Sequence, residues 1–352
     1  DNSTAQKYAD ALNIRFETIG AQCRHNFGNG EVTKNATCKE TGIKIYTCSL
    51  CGESYEETIA KTKHTEKSTI TKATASNDGK IVKSCSVCNT VISTTIIPKA
   101  TVSISKTSYT YTGKVQVPTV TVKNSQGNKL ELGKDYKITY QNKNSIKAGS
   151  YNIRVDFIGD RYEGLKRVTY KINHLTNSTA KLNTNVFTAN GKVQKPTVTV
   201  KNVYGSKLTN GTHYTVTYSN ANSKDVGRYT VTVKMKGNYS GTMTFPYYIN
   251  PKPTEFVPSN KGGFKAISKG FTLKWNKQAS QTTGYQIQYA TKSDFSNAAT
   301  ITIANPNTTS YTIKGRAANT RYYVRVRTYK KIGTGTFYSS WNSGTKSVVT
   351  LK

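Results

Sequence analysis

The stretch Gly113–Leu130, GKVQVPTVTVKNSQGNKL, returns 78 residues later as GKVQKPTVTVKNVYGSKL at Gly191–Leu208. Solenoid repeats run about 20 to 50 residues, so a unit of this length is a whole small domain, and the chain is a tandem of domains. In the first copy Tyr136, Ile138 and Tyr140 alternate with Asp135, Lys137 and Thr139. Further on, Tyr151, Ile153, Val155 and Phe157 alternate with Asn152, Arg154 and Asp156. In the second copy Tyr214, Val216 and Tyr218, then Tyr229, Val231 and Val233, keep the same period. A period of two makes one face core and the other wet. Short strands separated by Gly and Asn turns at about 8 to 12 residues predict small antiparallel sandwiches. The expected fold is all-β: sandwiches strung like beads, preceded by a small Cys-rich β module and a short helix and strand.

The pattern YTGK, P-x-V-x-V, DY-x-(I/V)-x-Y and AGSY resembles the bacterial Ig-like repeats of Gram-positive surface proteins, over 101–174 and again over 175–250. After the hinge Pro251-Lys252-Pro253 come Phe271–Trp275 (FTLKW), Gly284–Tyr289 (GYQIQY) and Thr320–Arg327 (TRYYVRVR). These resemble successive strands of a fibronectin type III domain over 251–352, and the resemblance implies that Tyr322 is the tyrosine-corner residue. Tyr322, Val324 and Val326 are expected inside, with Tyr323, Arg325 and Arg327 outside. At the other end, Ser3 can cap a helix whose Ala5, Tyr8, Ala9 and Leu12 share a face, and Ile14 and Phe16 alternate as a strand would. This segment, 1–20, resembles the last unit of a bacterial leucine-rich repeat array. With no initiator Met and no basic-then-apolar leader, the chain is expected to be a piece of a longer protein.

The net charge of +33 is uneven: +3 over 1–100, +8 over 101–174, +8 over 175–250 and +14 over 251–352. Such a field attracts polyanions. It also describes a lysine-coated, self-repelling stalk. No apolar run approaches the roughly 20 residues that span a bilayer.

All six cysteines fall in 21–100, where two units align: NATCKETGIKIYTCSLCGESYEETIAKTKH and KATASNDGKIVKSCSVCNTVISTTIIPKAT. Each carries a Cys-x-x-Cys knuckle between strands, but Ala75 stands where Cys38 stands, and Thr101 where His64 stands. Structural zinc takes four Cys or His ligands. Cys48 and Cys51 are expected to join Cys38 and one of Cys23, His25 or His64. Cys85 and Cys88 would take His64 and lack an obvious fourth ligand. The units resemble Cys-x-x-Cys modules of secreted proteins of gut Firmicutes, an alignment that sets His25 roughly where a preceding unit would have its His64. Three disulfides are the rival reading for a secreted segment, although Cys-x-x-Cys closes a small loop that gains little from a bridge. Either way the role is structural, since so small a module with few large apolar side chains needs a staple.

Catalytic chemistry has little foothold. His174 and His213 lack a partnered nucleophile at a recognisable spacing. From residue 175 onward the only carboxylates are Asp225, Glu255 and Asp294, too few for paired-carboxylate glycoside hydrolysis. No phosphate-cradling Gly loop occurs. Binding has more support: Tyr323, Arg325, Arg327, Lys330 and Lys331 form a basic, aromatic strip suited to an anionic glycan or an acidic protein patch. The expectation is a non-catalytic, monomeric accessory region of a secreted or surface-attached bacterial protein that spaces and presents binding domains. Its alternative is an adhesin for a host glycan, a host protein such as an immunoglobulin, or an anionic wall polymer. The charge comes with no nucleic-acid recognition module.

Overall fold

The computed structural model describes residues 4–15 and 23–352. Helix α1 (Thr4–Ala11) buries Ala9, while Tyr8 and Leu12 on the expected apolar face are exposed. Ile14 lies outside any strand; Ser3 and Phe16 fall outside the described residues.

The Cys-rich segment forms two separate three-stranded antiparallel sheets: β1 (Glu31–Lys34), β2 (Gly42–Thr47) and β3 (Ser54–Ile59), then β4 (Glu66–Thr71), β5 (Gly79–Cys85) and β6 (Val91–Ile97), each with its middle strand in sequence also central in space. The two are built alike. Thr37 and Thr74 open the central strands by accepting backbone N–H bonds from Lys39 and Glu40, and from Ser76 and Asn77, the local bonding that makes Ser and Thr turn formers. Gly42 and Gly79 follow, and a Cβ on either would collide with the backbone just upstream. Neither sheet has a covering layer: β3 is exposed at all but one position and β4 at every one.

The first repeat copy pairs β7 (Ala100–Ile104) with β9 (Val120–Asn124) in one sheet. Its other sheet has the order β10 (Tyr136–Tyr140), β11 (Gly149–Phe157), β12 (Leu165–Asn173), β8 (Ser108–Thr110), with β8 parallel to β12. The second copy repeats this with β13 (Thr179–Leu182) and β15 (Val198–Lys201), facing β16 (Tyr214–Tyr218), β17 (Gly227–Met235), β18 (Thr242–Asn250) and β14 (Val186–Thr188). The two cores correspond residue by residue. Val122, Leu130, Tyr136, Val155, Phe157 and Tyr162 are buried in one, and Val200, Leu208, Tyr214, Val233, Met235 and Tyr239 in the other. Each copy also ties a buried tyrosine to a buried serine, Tyr170 to Ser145 and Tyr247 to Ser223, at 2.8 Å.

The last segment pairs β19 (Phe264–Ile267), β20 (Gly270–Lys274) and β23 (Ser310–Ile313) in one sheet. The second sheet has β22 (Ala299–Ile303), β21 (Gly284–Ala290), β24 (Arg321–Ile332) and β25 (Gly335–Tyr338), with β26 (Lys346–Val349) also on β24. Trp275, Leu273, Phe271, Tyr285, Ile287, Val324 and Val326 are all 1 % exposed or less. The Tyr322 hydroxyl accepts the Ala317 N–H at 3.3 Å, the upstream backbone bond of a tyrosine corner.

Contacts divide the chain into two compact units, one made of 1–106, 118–143 and 152–169, the other of 107–117, 144–151 and 170–352. Within each unit consecutive modules are joined by bonds of a repeated kind. In the first, the Ala73 N–H donates to the Arg161 carbonyl and the Glu163 N–H to the Ala73 carbonyl. In the second, Leu175 makes the same pair of bonds with Asn238 and Ser240. The loops holding Tyr162 and Tyr239 are equivalent, so the Cys-rich segment occupies the backbone slot that the linker fills in the other copy. At the opposite end of the copies, the Ala148 N–H donates to Asn238 Oδ1 at 2.9 Å and the equivalent Val226 N–H to Gln281 Oε1 at 3.3 Å.

Both tryptophans, Trp275 and Trp341, lie in the last segment, so their fluorescence reports its unfolding alone. Leu273 has no exposed surface, and Leu273→Ala is expected to lower its stability by about 2–5 kcal/mol in a urea titration followed by that emission.

Candidate metal centres

The eight expected ligands form two groups of four. Cys23, His25, Cys48 and Cys51 are one; Cys38, His64, Cys85 and Cys88 are the other, and within each the ligand atoms lie within 4.8 Å of one another. No disulfide joins the six cysteines. The pairing differs from the sequence expectation at one ligand. Cys38 does not join Cys48 and Cys51; it supplies the fourth ligand that Cys85 and Cys88 lacked, and the first knuckle takes both Cys23 and His25.

Backbone geometry explains how each knuckle presents its sulfurs. In the first, the Gly52 N–H returns to the Cys48 carbonyl, and in the second the Asn89 N–H returns to Cys85, both at 2.9 Å. The turn requires a left-handed residue, and φ is 76° at Gly52 and 58° at Asn89; Gly and Asn are the residues that enter this region most readily. The Ser49 and Ser86 N–H groups then donate to the carbonyls that follow the two histidines, Asn26 and Thr65. That bond sets each histidine beside its knuckle.

The spacings fit a tetrahedral ion. Metal–sulfur bonds of about 2.3 Å and metal–nitrogen bonds of about 2.0–2.1 Å give tetrahedral edges of about 3.8 Å between sulfurs and about 3.5 Å between sulfur and nitrogen. Cys23 and Cys48 sulfurs are 3.6 Å apart and Cys38 and Cys85 sulfurs 3.7 Å. The Cys51 sulfur lies 3.3 Å from His25 Nδ1 and the Cys88 sulfur 3.5 Å from His64 Nδ1. His25 turns its other nitrogen to Glu53, Nε2 to Oε2 at 3.2 Å, the carboxylate support that fixes a ligating imidazole.

Electrostatics points the same way. Burial alone would push the Cys48 thiol up, but the backbone N–H groups of Asn26, Leu50 and Cys51, together with His25, outweigh it and bring it down to about 5. Cys85 is drawn down to about 5, first by the Cys88 N–H. Their neighbours move oppositely: Cys23 is pushed up to about 12, chiefly by its hydrogen bond with Cys51, and Cys38 to about 11, chiefly by Cys88. Each centre thus holds one thiolate readily and resists further negative charge. A divalent cation removes that resistance and releases the remaining protons. Three thiolates and an imidazole are a donor set suited to zinc.

The basic strip is arranged differently from a free binding surface. Arg325 lies over the rings of Phe295 and Trp341, at 4.1 and 4.5 Å, and Arg327 over Trp341 and Tyr338, at 4.3 and 3.9 Å. Both guanidiniums also donate to cross-strand glutamines, Arg325 to Gln288 and Arg327 to Gln286. They form a column of alternating rings and cations that holds the strand's outer face. Tyr323 and Lys330 are half-buried beside it, and Lys331 is exposed. The rings come from the β22 approach and from β25 and the loop after it. The signal available in sequence was the i, i+2 arginine pair on an outward strand face followed by Tyr338 and Trp341.

His25 and Glu53 are partly exposed, 38 % and 72 % by side chain. Glu53→Ala is therefore expected to weaken metal binding at the first centre by about tenfold, the low end for such support, and to leave the second centre unchanged in a chelator competition.

Residues 264–344 match the fibronectin type III domain family. No curated protein matches the chain. Among 145 matching solved chains are the FN1–FN3 domains of chicken CNTN1, 13% identical over 71% of this chain and 97% of that one with a TM-score of 0.25. Another is domains A168–A170 of titin, 15% identical over 82% and 99% with a TM-score of 0.23. The chain is nearly all β, and its C-terminal part carries a fibronectin type III domain.

Proposed function

We propose that the chain is the non-catalytic accessory region of an extracellular, surface-attached bacterial protein. Two structural zinc ions hold its Cys-rich end, and its tandem sandwiches space and present binding domains. In that reading α1 would be the tail of a leucine-rich repeat array. The observation that carries the proposal is the repeated docking of consecutive modules: Ala73 and Leu175 in equivalent backbone slots, Ala148 and Val226 on equivalent amide oxygens. Joints of this kind serve positioning, which a loose tether does not need.

The polar groups that could do chemistry are engaged in structure. Asp225 accepts from Gln281, Glu255 from the Ser343 N–H, and Asp294 from the Ser296 N–H, which holds the Asp294 carboxyl below its ordinary range. His213 accepts the Thr209 N–H and packs edge-on to Tyr239. No helix among the described residues is long and apolar enough to cross a membrane.

Adhesion to an anionic glycan, an anionic wall polymer or a host protein such as an immunoglobulin is the second reading, favoured by the net charge of +33. The full chain, passed over arrayed mucin glycans, teichoic acids and serum proteins, separates the two. The spacer is expected to lose all retention between low salt and about 0.15 M, where the screening length is about 8 Å. Retention at that salt by one domain would replace the spacer with the adhesin.

A further inference from the structure

The two centres draw their ligands from the chain in the same order. Each knuckle, Cys48–Cys51 or Cys85–Cys88, is met by one Cys and one His that precede its own unit. Cys38 lies in the turn between β1 and β2 of the first sheet and His64 in the connection leaving it, yet both ligate with the knuckle of the second sheet. No strand of the first sheet pairs with a strand of the second. From this we infer that the second centre is a joint: its zinc clamps one Cys-rich sheet to the next, and each unit passes one Cys and one His to the unit that follows. The inference rests on the zinc reading above.

The fate of the outgoing pair in the last unit supports it independently. Ala75 occupies the position of Cys38. The position of His64 follows from the register: Gly42 pairs with Ile59, and Gly79 with Ile97. His64 is five residues beyond Ile59, and Val102 is five beyond Ile97. A bulge between Lys83 and Ser84 shifts the correspondence by one residue from Thr101, where sequence alignment puts it. No second Cys-rich unit follows here. Ala75 and Val102 instead pack together on the core of Val122, Tyr136, Val155 and Phe157. The same two positions therefore make the joint in both cases, as metal ligands toward another Cys-rich unit and as apolar side chains toward a sandwich.

The first centre is the same device in shortened form. Cys23 and His25 take the places of Cys38 and His64, and the Ser49 to Asn26 bond matches the Ser86 to Thr65 bond. A unit of this type can therefore be preceded by another of its kind or by a short segment that carries only the outgoing pair.

The test uses the full reduced chain, with zinc counted after gel filtration and amide hydrogen exchange read over 23–104. Wild type is expected to hold two zinc ions, and Cys38→Ala one. In Cys38→Ala, protection at the second knuckle and over 60–65 is expected to fall, while Ile97, Ala100 and the sandwich core keep theirs. Cys38→His, which retains a ligand, is expected to restore the second ion and the protection; it also shows that the loss is not misfolding. A wild type without bound zinc overturns the zinc reading and this inference together. Two ions retained by Cys38→Ala, or protection lost only over 23–53, overturns the joint alone.

Discussion

A three-stranded sheet with no layer over either face cannot hold itself in water, and two such sheets occupy the Cys-rich segment. Isolated small sheets are marginal because the apolar area they bury does not offset the chain entropy of ordering them. What the segment has instead is a tight turn, a glycine pressed against backbone, a cross-strand stack of Tyr46 on Tyr55, and two Cys3His centres. Zinc in such a set contributes folding free energy directly. The arrangement of everything upstream of the sandwiches depends on those eight side chains.

The joints along the chain then form a graded series. Between Cys-rich units the ligands of one ion make the joint. Where the Cys-rich segment meets the sandwich, Ala73 enters a backbone slot and Ala75 and Val102 join the core. Within the second unit the joints are amide and backbone hydrogen bonds, with Tyr111 edge-on to Tyr239 adding apolar contact. An ion is needed only where both neighbours lack a core to share. The strong positive charge lies mainly beyond the Cys-rich segment, in sandwiches whose own cores are complete.

The sandwiches were legible in the sequence because one face of each strand is buried and the side-chain period is two. Tyr136, Ile138, Tyr214, Val216, Tyr322, Val324 and Val326 all point as alternation requires. All eight candidate ligands were legible too, since Cys and His in a segment poor in apolar residues have few other uses. Their partition was not, because spacing within one unit says nothing about ligands passed between units, and a single bulge moved the equivalent of His64 from Thr101 to Val102. The strip on β24 shows a different limit. Alternation turned Arg325 and Arg327 outward correctly, but the rings that stack on them come from residues about 14 to 32 positions away along the chain. Only the folded sheet brings these together.

The most direct test of the central claim is zinc-edge X-ray absorption on the reduced, zinc-loaded full chain. Two four-coordinate Cys3His ions are expected to give three sulfurs at about 2.3 Å and one nitrogen at about 2.0–2.1 Å per zinc. A first shell dominated by oxygen and nitrogen would contradict the account, because it would mean that the thiolates brought together by the two knuckles are not what holds the metal.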